Sequence, residues 1–155
     1  MLDVARSRVG SAREARGESP ANFVEGTAES IPLPDGEFDV VCCFFSFRDF
    51  HDKRKGLQEI LRVLKPGGRL LICDAGKANF LHVWLGWLWM KVWIGSYARV
   101  VCKQKEHPWK WLTKTYVHFG TTKSYKRMMR DVGFTEVKGR LLFPGMACRF
   151  IADKP

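Results

Sequence analysis

Two hydrophobic periods organise the middle of this chain. Residues 69–73 (RLLIC) are a short apolar run, as expected of a strand covered on both faces, and residues 38–45 (FDVVCCFF) read as a strongly apolar strand. Between them a helical pattern starts near Asp52, which can cap it, and runs to about Leu64. Pro66 cannot continue that helix, and Gly67 supplies the positive φ that a type II turn needs. A helix delivered tightly into a buried strand is half of a βαβ unit, and such units build parallel sheets.

The flanks change the period. Residues 1–9 read as the tail of a helix with Leu2, Ala5 and Val9 on its apolar side. Residues 10–20 read as a loop, 21–26 as a short strand, and 27–36 as a loop with Pro32, Pro34 and Asp35-Gly36 as turn signals. Residues 80–101 are apolar nearly all round if helical, and 109–119 form a second short helix or a loop. Thr121 or Thr122 caps a helix through Asp131, which Gly133 ends. Residues 135–143 and 146–152 then read as strands joined at Pro144-Gly145, an antiparallel hairpin.

Composition adds a class and a compartment. At 155 residues, 46% hydrophobic and 27% charged, the chain has the make-up of one globular domain. Its five cysteines (Cys42, Cys43, Cys73, Cys102 and Cys148) form no Cys-x-x-Cys pair and no zinc spacing, so reduced core thiols and no metal are expected. The first twenty residues show no apolar signal-peptide region, and a cytoplasmic location is expected. The net charge of +10 is concentrated: residues 75–130 hold eleven Lys/Arg against one acid, Glu106, and all six tryptophans. That segment therefore has its own expected role.

Three stretches in register resemble one family. Residues 26–41 (GTAESIPLPDGEFDVV), 45–49 (FSFRD) and 62–72 (RVLKPGGRLLI) closely resemble class I S-adenosylmethionine-dependent methyltransferases, and within these the ubiquinone/menaquinone C-methyltransferase group. Residues 1–6 and 131–137 resemble the same family's helix after its second strand and its sixth-strand entry. The resemblance implies an α/β Rossmann-like methyltransferase sheet, mostly parallel with a C-terminal antiparallel hairpin. It also implies that residues 1–155 are a partial methyltransferase domain, with 75–120 a helical lid or membrane-facing insert. The family's first two strands, glycine-rich loop and ribose-binding acid have no counterpart before residue 21. The strand at 38–45 would then expose an edge that invites aggregation or a partner chain, and the 155 residues alone are expected to be poorly stable.

The resemblance also assigns residues. Thr27, Ala28 and Glu29 match the loop over the adenine ring of S-adenosyl-L-methionine, and Phe44 and Phe45 would border its methionine moiety, with Phe44 standing where the family often has a small polar residue. Arg48, Asp49 and His51 match the family's Arg-Asn segment, with Asp49 replacing Asn. For methyl transfer to a ring carbon, Arg48 could stabilise a phenolic oxyanion and His51 could act as general base; a solvated capping cluster is the alternative for His51. Asp74 reaches the same rim or caps the next segment, and His107, Trp109 and His118 are candidates to line a substrate pocket.

Residues 80–101 are long enough as a helix to span a bilayer, but Lys91 at the centre would cost about 3 kcal/mol there. A helix lying in the interface, with Lys103, Lys105, Lys110 and Lys114 on anionic headgroups, is one reading of 80–114, and a lid packed on the sheet is the other. The resulting expectation is a methyltransferase acting on a small lipophilic acceptor such as a quinone precursor, at the inner face of the membrane. A phospholipid or small-metabolite acceptor is the alternative within the class. A non-catalytic, methyltransferase-like partner protein is the alternative outside it, and the absence of exposed-aromatic basic loops disfavours nucleic acid.

Overall fold

The computed structural model describes residues 2–75, 120–142 and 147–155, with Leu88, Val92, Trp93 and Ser96 between them. Chain order is helix α1 (Leu2–Glu14), strand β1 (Phe38–Phe44), a 3-10 turn (Phe47–Asp49), α2 (Lys53–Val63), β2 (Leu64–Ala75), α3 (Thr122–Val132), β3 (Thr135–Leu142) and β4 (Ala147–Asp153). The four strands form one sheet in the order β1-β2-β4-β3. β1 and β2 run parallel, as the helix between them requires, while β4 is antiparallel to both β2 and β3.

Local chemistry sets the ends of these elements. The Asp52 carboxylate accepts hydrogen bonds from the Arg54 and Lys55 amides at 3.0 Å and starts α2. Thr121 does the same for α3 through the Ser124 amide, and Gly133 ends it at φ 118°. The turn after α2 lies inside the irregular start of β2: pairing jumps from Phe38–Leu64 to Val40–Arg69, and Gly67 sits at φ 75°. The Gly67 amide donates to the Lys154 carbonyl at 3.1 Å, and the Lys154 amide donates to Gly68 at 2.8 Å. The turn is thereby fastened to the far end of the chain.

Tyr125 and Met129 of α3 and Leu57 and Ile60 of α2 bury Leu70, Ile72, Cys148, Phe150 and Val137 of the sheet. Edge-to-face contacts link Phe47, Tyr125 and Phe150 across this layer, with ring centroids 5.2 and 6.0 Å apart. Gly139 makes room for the Phe150 ring, because a Cβ there would lie 2.7 Å from it.

Several expectations are corrected. Residues 21–26 are not a strand: among the described residues no strand lies beyond β1 to pair with them. Helix α1 continues through Gly10 to Glu14, a tolerable glycine cost of about 1 kcal/mol in a helix that the sheet does not constrain. β1 stops at Phe44 and β4 runs to Asp153. The sheet is covered on one face only among the described residues, so Leu71 and Cys73 are half-buried, where cover on both faces of 69–73 is expected from sequence, and Val40 and Phe44 of the strongly apolar β1 are exposed. The helical expectation for 80–101, the short helix or loop at 109–119, the 80–114 surface, the hairpin tip at Pro144-Gly145, Cys102 and the candidates His107, Trp109 and His118 lie outside the described residues, apart from the helical positions Leu88, Val92, Trp93 and Ser96. Among the described residues no helix is long and apolar enough to cross a membrane.

Candidate functional site

Parallel strands β1 and β2 end side by side, and the chain beyond β1 turns back over the end of β2. The Phe45 amide donates to the Cys73 carbonyl at 2.8 Å, one residue past the last position of β1. Phe45 itself sits at φ 52°, a left-handed conformation that an aromatic residue adopts only when its surroundings impose it. Phe44 and Phe45 are both exposed there, 62% and 54%.

Arg48 is the best-anchored polar residue at this rim. Its amide donates to Asp74 Oδ2 at 2.8 Å and its Nη1 donates to Asp74 Oδ1 at 3.2 Å. Asp74, only 2% exposed, also accepts from the Ala75 amide at 2.6 Å. The Arg48 guanidinium lies 5.9 Å from the Phe45 ring centroid, and its Nε is buried without a hydrogen-bond partner, 3.6 Å from Asp49. Among the described residues Nη2 makes no hydrogen bond, which leaves one guanidinium nitrogen for a ligand.

The second component is the loop at 27–36. The Ser30 amide donates to the Thr27 carbonyl at 3.2 Å, closing a turn around Ala28 and Glu29. Glu29 Oε1 accepts from the Asp52 amide at 3.1 Å, which ties the loop to the start of α2. That bond holds the Glu29 carboxyl below its usual range. The loop's other end is clamped by Arg62, which donates to the carbonyls of Ile31 and Leu33 at 2.8 and 2.9 Å and to Glu59 and Asp35. Glu59 also accepts from the Ile31 amide at 2.9 Å, and the Arg62 and Ile31 bonds bring its carboxyl to about 2.

Of the sequence-derived candidates, Thr27, Ala28, Glu29, Arg48 and His51 are thus assembled around the start of α2, with Phe45 beside Arg48 and Phe44 exposed at the end of β1. His51 is exposed next to the Asp52 cap. Asp74 proves to be an anchor for Arg48. Lys53 and Gly56 escaped the sequence reading. Lys53 Nζ donates to the Arg48 and Phe50 carbonyls at 3.0 and 3.1 Å, holding the 3-10 turn from below. A lysine in the first helical turn opposes the helix dipole, and that misfit was its one sequence signal. Gly56 admits the Phe50 ring, since a Cβ would meet it at 2.5 Å.

Of the expected core thiols, Cys43 and Cys148 are buried and Cys73 is half-buried, but Cys42, on the opposite face of β1 from Cys43, is exposed. Burial pushes the Cys148 thiol up to about 12 and raises that of Cys43, which lies 3.1 Å from Ser46 Oγ. Among the described residues no cluster could hold a metal ion.

An open α/β sheet with its polar groups gathered beyond the carboxyl ends of two parallel strands, and an antiparallel hairpin closing the other side, defines a Rossmann-like methyltransferase fold. A putative methyltransferase from Bacillus halodurans matches it with a TM-score of 0.64 at 18% identity, over 99% of this chain and 78% of that one. The chain belongs to the ubiE/COQ5 methyltransferase family, which it matches over residues 1–154. It is 31% identical over its whole length to a demethylmenaquinone methyltransferase of Clavibacter sepedonicus and 33% to that of Thermus thermophilus, covering 61% and 68% of those proteins. The chain thus spans about three fifths of the length of the first of these relatives.

Proposed function

We propose that this chain is part of an S-adenosyl-L-methionine-dependent methyltransferase that acts on a small lipophilic acceptor of the quinone-precursor type. The observation that carries the reading is Arg48, held by a buried carboxylate at the ends of β1 and β2 beside the loop that Glu29 ties to α2. The named relatives methylate demethylmenaquinone, whose reduced ring offers a phenolic oxygen and an adjacent nucleophilic carbon.

The residues present fit part of the cofactor. Thr27 and Ala28 would cover the adenine, Glu29 would hold the loop in place, and the exposed Phe44 and Phe45 would flank the methionine side. The cofactor supplies an electrophilic methyl group. Arg48 Nη2 would hold the acceptor's oxyanion, so that negative charge develops next to a fixed cation. Asp74 would keep that cation in place, and His51 would take the phenolic proton into solvent. A contact of residues 80–114 with a membrane surface would present the lipophilic acceptor to this rim.

The test is methyl transfer from labelled S-adenosyl-L-methionine to a reduced demethylated naphthoquinone. Arg48→Lys is expected to lower kcat about a hundredfold, with the KM for the cofactor little changed. Equal turnover by the variant would remove Arg48 from the mechanism. A second reading, a non-catalytic partner protein, draws support from the edge of β1 that is unpaired among the described residues. Methyl transfer that appears only when a second chain is added would favour it.

A further inference from the structure

A second polar concavity lies away from the methyl-transfer rim, between α3 and the outer strand β3. It is a groove of about 650 Å³ lined by Thr122, Lys123, Lys126, Arg127, Arg130 and Leu141. The four cations recur at helical spacing (123, 126, 127 and 130), so they form one stripe about 10 Å long on the side of α3 away from Tyr125 and Met129. None of the four has an ion-pair partner among the described residues. By contrast, Arg54 on the neighbouring helix pairs with Asp131. Two of the four are fixed in the groove. The Lys126 stem lies against β3 over Gly139, where a Cβ would come within 3.0 Å of Lys126 Cδ, and Arg130 Nη2 donates to the Val137 carbonyl at 3.4 Å.

We propose that this groove docks the chain on anionic phospholipid, its cations taking headgroup phosphates. Charge complementarity carries the choice: four cations without an ion-pair partner, and no acid among the described lining residues, match a surface of phosphate monoanions. Leu141 gives the groove an apolar wall for the glycerol and upper acyl region. Among the described lining residues there is no aromatic side chain on which a base could stack, which disfavours single-stranded nucleic acid. This docking does not depend on the methyl-transfer reading.

The experiment is co-sedimentation of the protein with vesicles of phosphatidylglycerol and phosphatidylcholine, against phosphatidylcholine alone. Anionic vesicles are expected to bind the protein, and the triple variant Lys123→Gln, Lys126→Gln, Arg127→Gln is expected to weaken that binding about a hundredfold. These side chains point away from the core, and circular dichroism checks that the variant keeps its fold. Lys55→Gln, on α2 and outside the groove, should leave the affinity unchanged. Glycerol phosphate at millimolar concentration should not compete; full competition would identify a soluble phosphate ligand and overturn the membrane assignment. Unchanged vesicle binding by the triple variant, no vesicle binding at low salt, or binding of RNA in its place would each overturn it as well.

Discussion

The two faces of the sheet differ sharply although the same strands build both. On the face under α2 and α3, Leu70, Ile72, Cys148, Phe150 and Ala152 are all within 1% of complete burial. On the other, Val40 and Phe44 are 48% and 62% exposed, Arg149 stands opposite Arg140, and no described helix covers them. Like charges directly across a strand pair are unfavourable unless an anionic or solvated environment receives them. The lesson is that an apolar strand such as 38–44 reports a demand for cover without saying which element meets it, and among the described residues only one face of the sheet has that cover. The covered face sets stability; the strand ends that emerge between the two faces carry the proposed site.

The largest expected effects lie on the covered face. Phe150→Ala should cost about 3–5 kcal/mol in urea unfolding, because Phe150 fills the space between Tyr125 and Gly139. Asp74→Asn should cost about 3 kcal/mol, since it leaves the Arg48 guanidinium half-anchored at a buried position. Thr121→Ala should cost about 1 kcal/mol through the lost cap of α3. On the open face, Val40→Thr should change stability by less than about 0.5 kcal/mol. If Val40→Thr cost as much as Phe150→Ala, something would cover that face and the contrast would collapse. The edge of β1, unpaired among the described residues, also predicts concentration-dependent self-association on gel filtration, which Val40→Lys should suppress.

Acid sharpens the account of the loop clamp. The Glu59 carboxyl is lowered from 4.5 to about 2 by Arg62 and the Ile31 amide, so it contributes stability above pH 4.5 that is lost as pH falls toward 2. The acid limb of an unfolding titration should therefore flatten in Glu59→Gln.

Signals carried by single residues were legible in the sequence. Asp52 and Gly133 mark helix ends, Gly67 supplies its positive φ, and the hairpin pairs as its apolar pattern requires. Tertiary consequences were not. The contact between Arg48 and Asp74 joins residues 26 apart, and no local pattern encodes it. The left-handed Phe45 is imposed by its bond to Cys73, not by its own preference. The strand expected at 21–26 carried adequate β propensity but lacks a described neighbour, and propensity alone does not hold a strand. Glu29 matched a family motif, while its bond to the Asp52 amide became visible only in three dimensions.

The most direct measurement is amide hydrogen exchange with and without millimolar S-adenosylhomocysteine. Protection gained at residues 27–29 and 44–49, with the α3–β3 groove unchanged, is the predicted result. Exchange unaltered at both segments would contradict the assignment of the cofactor to the ends of β1 and β2.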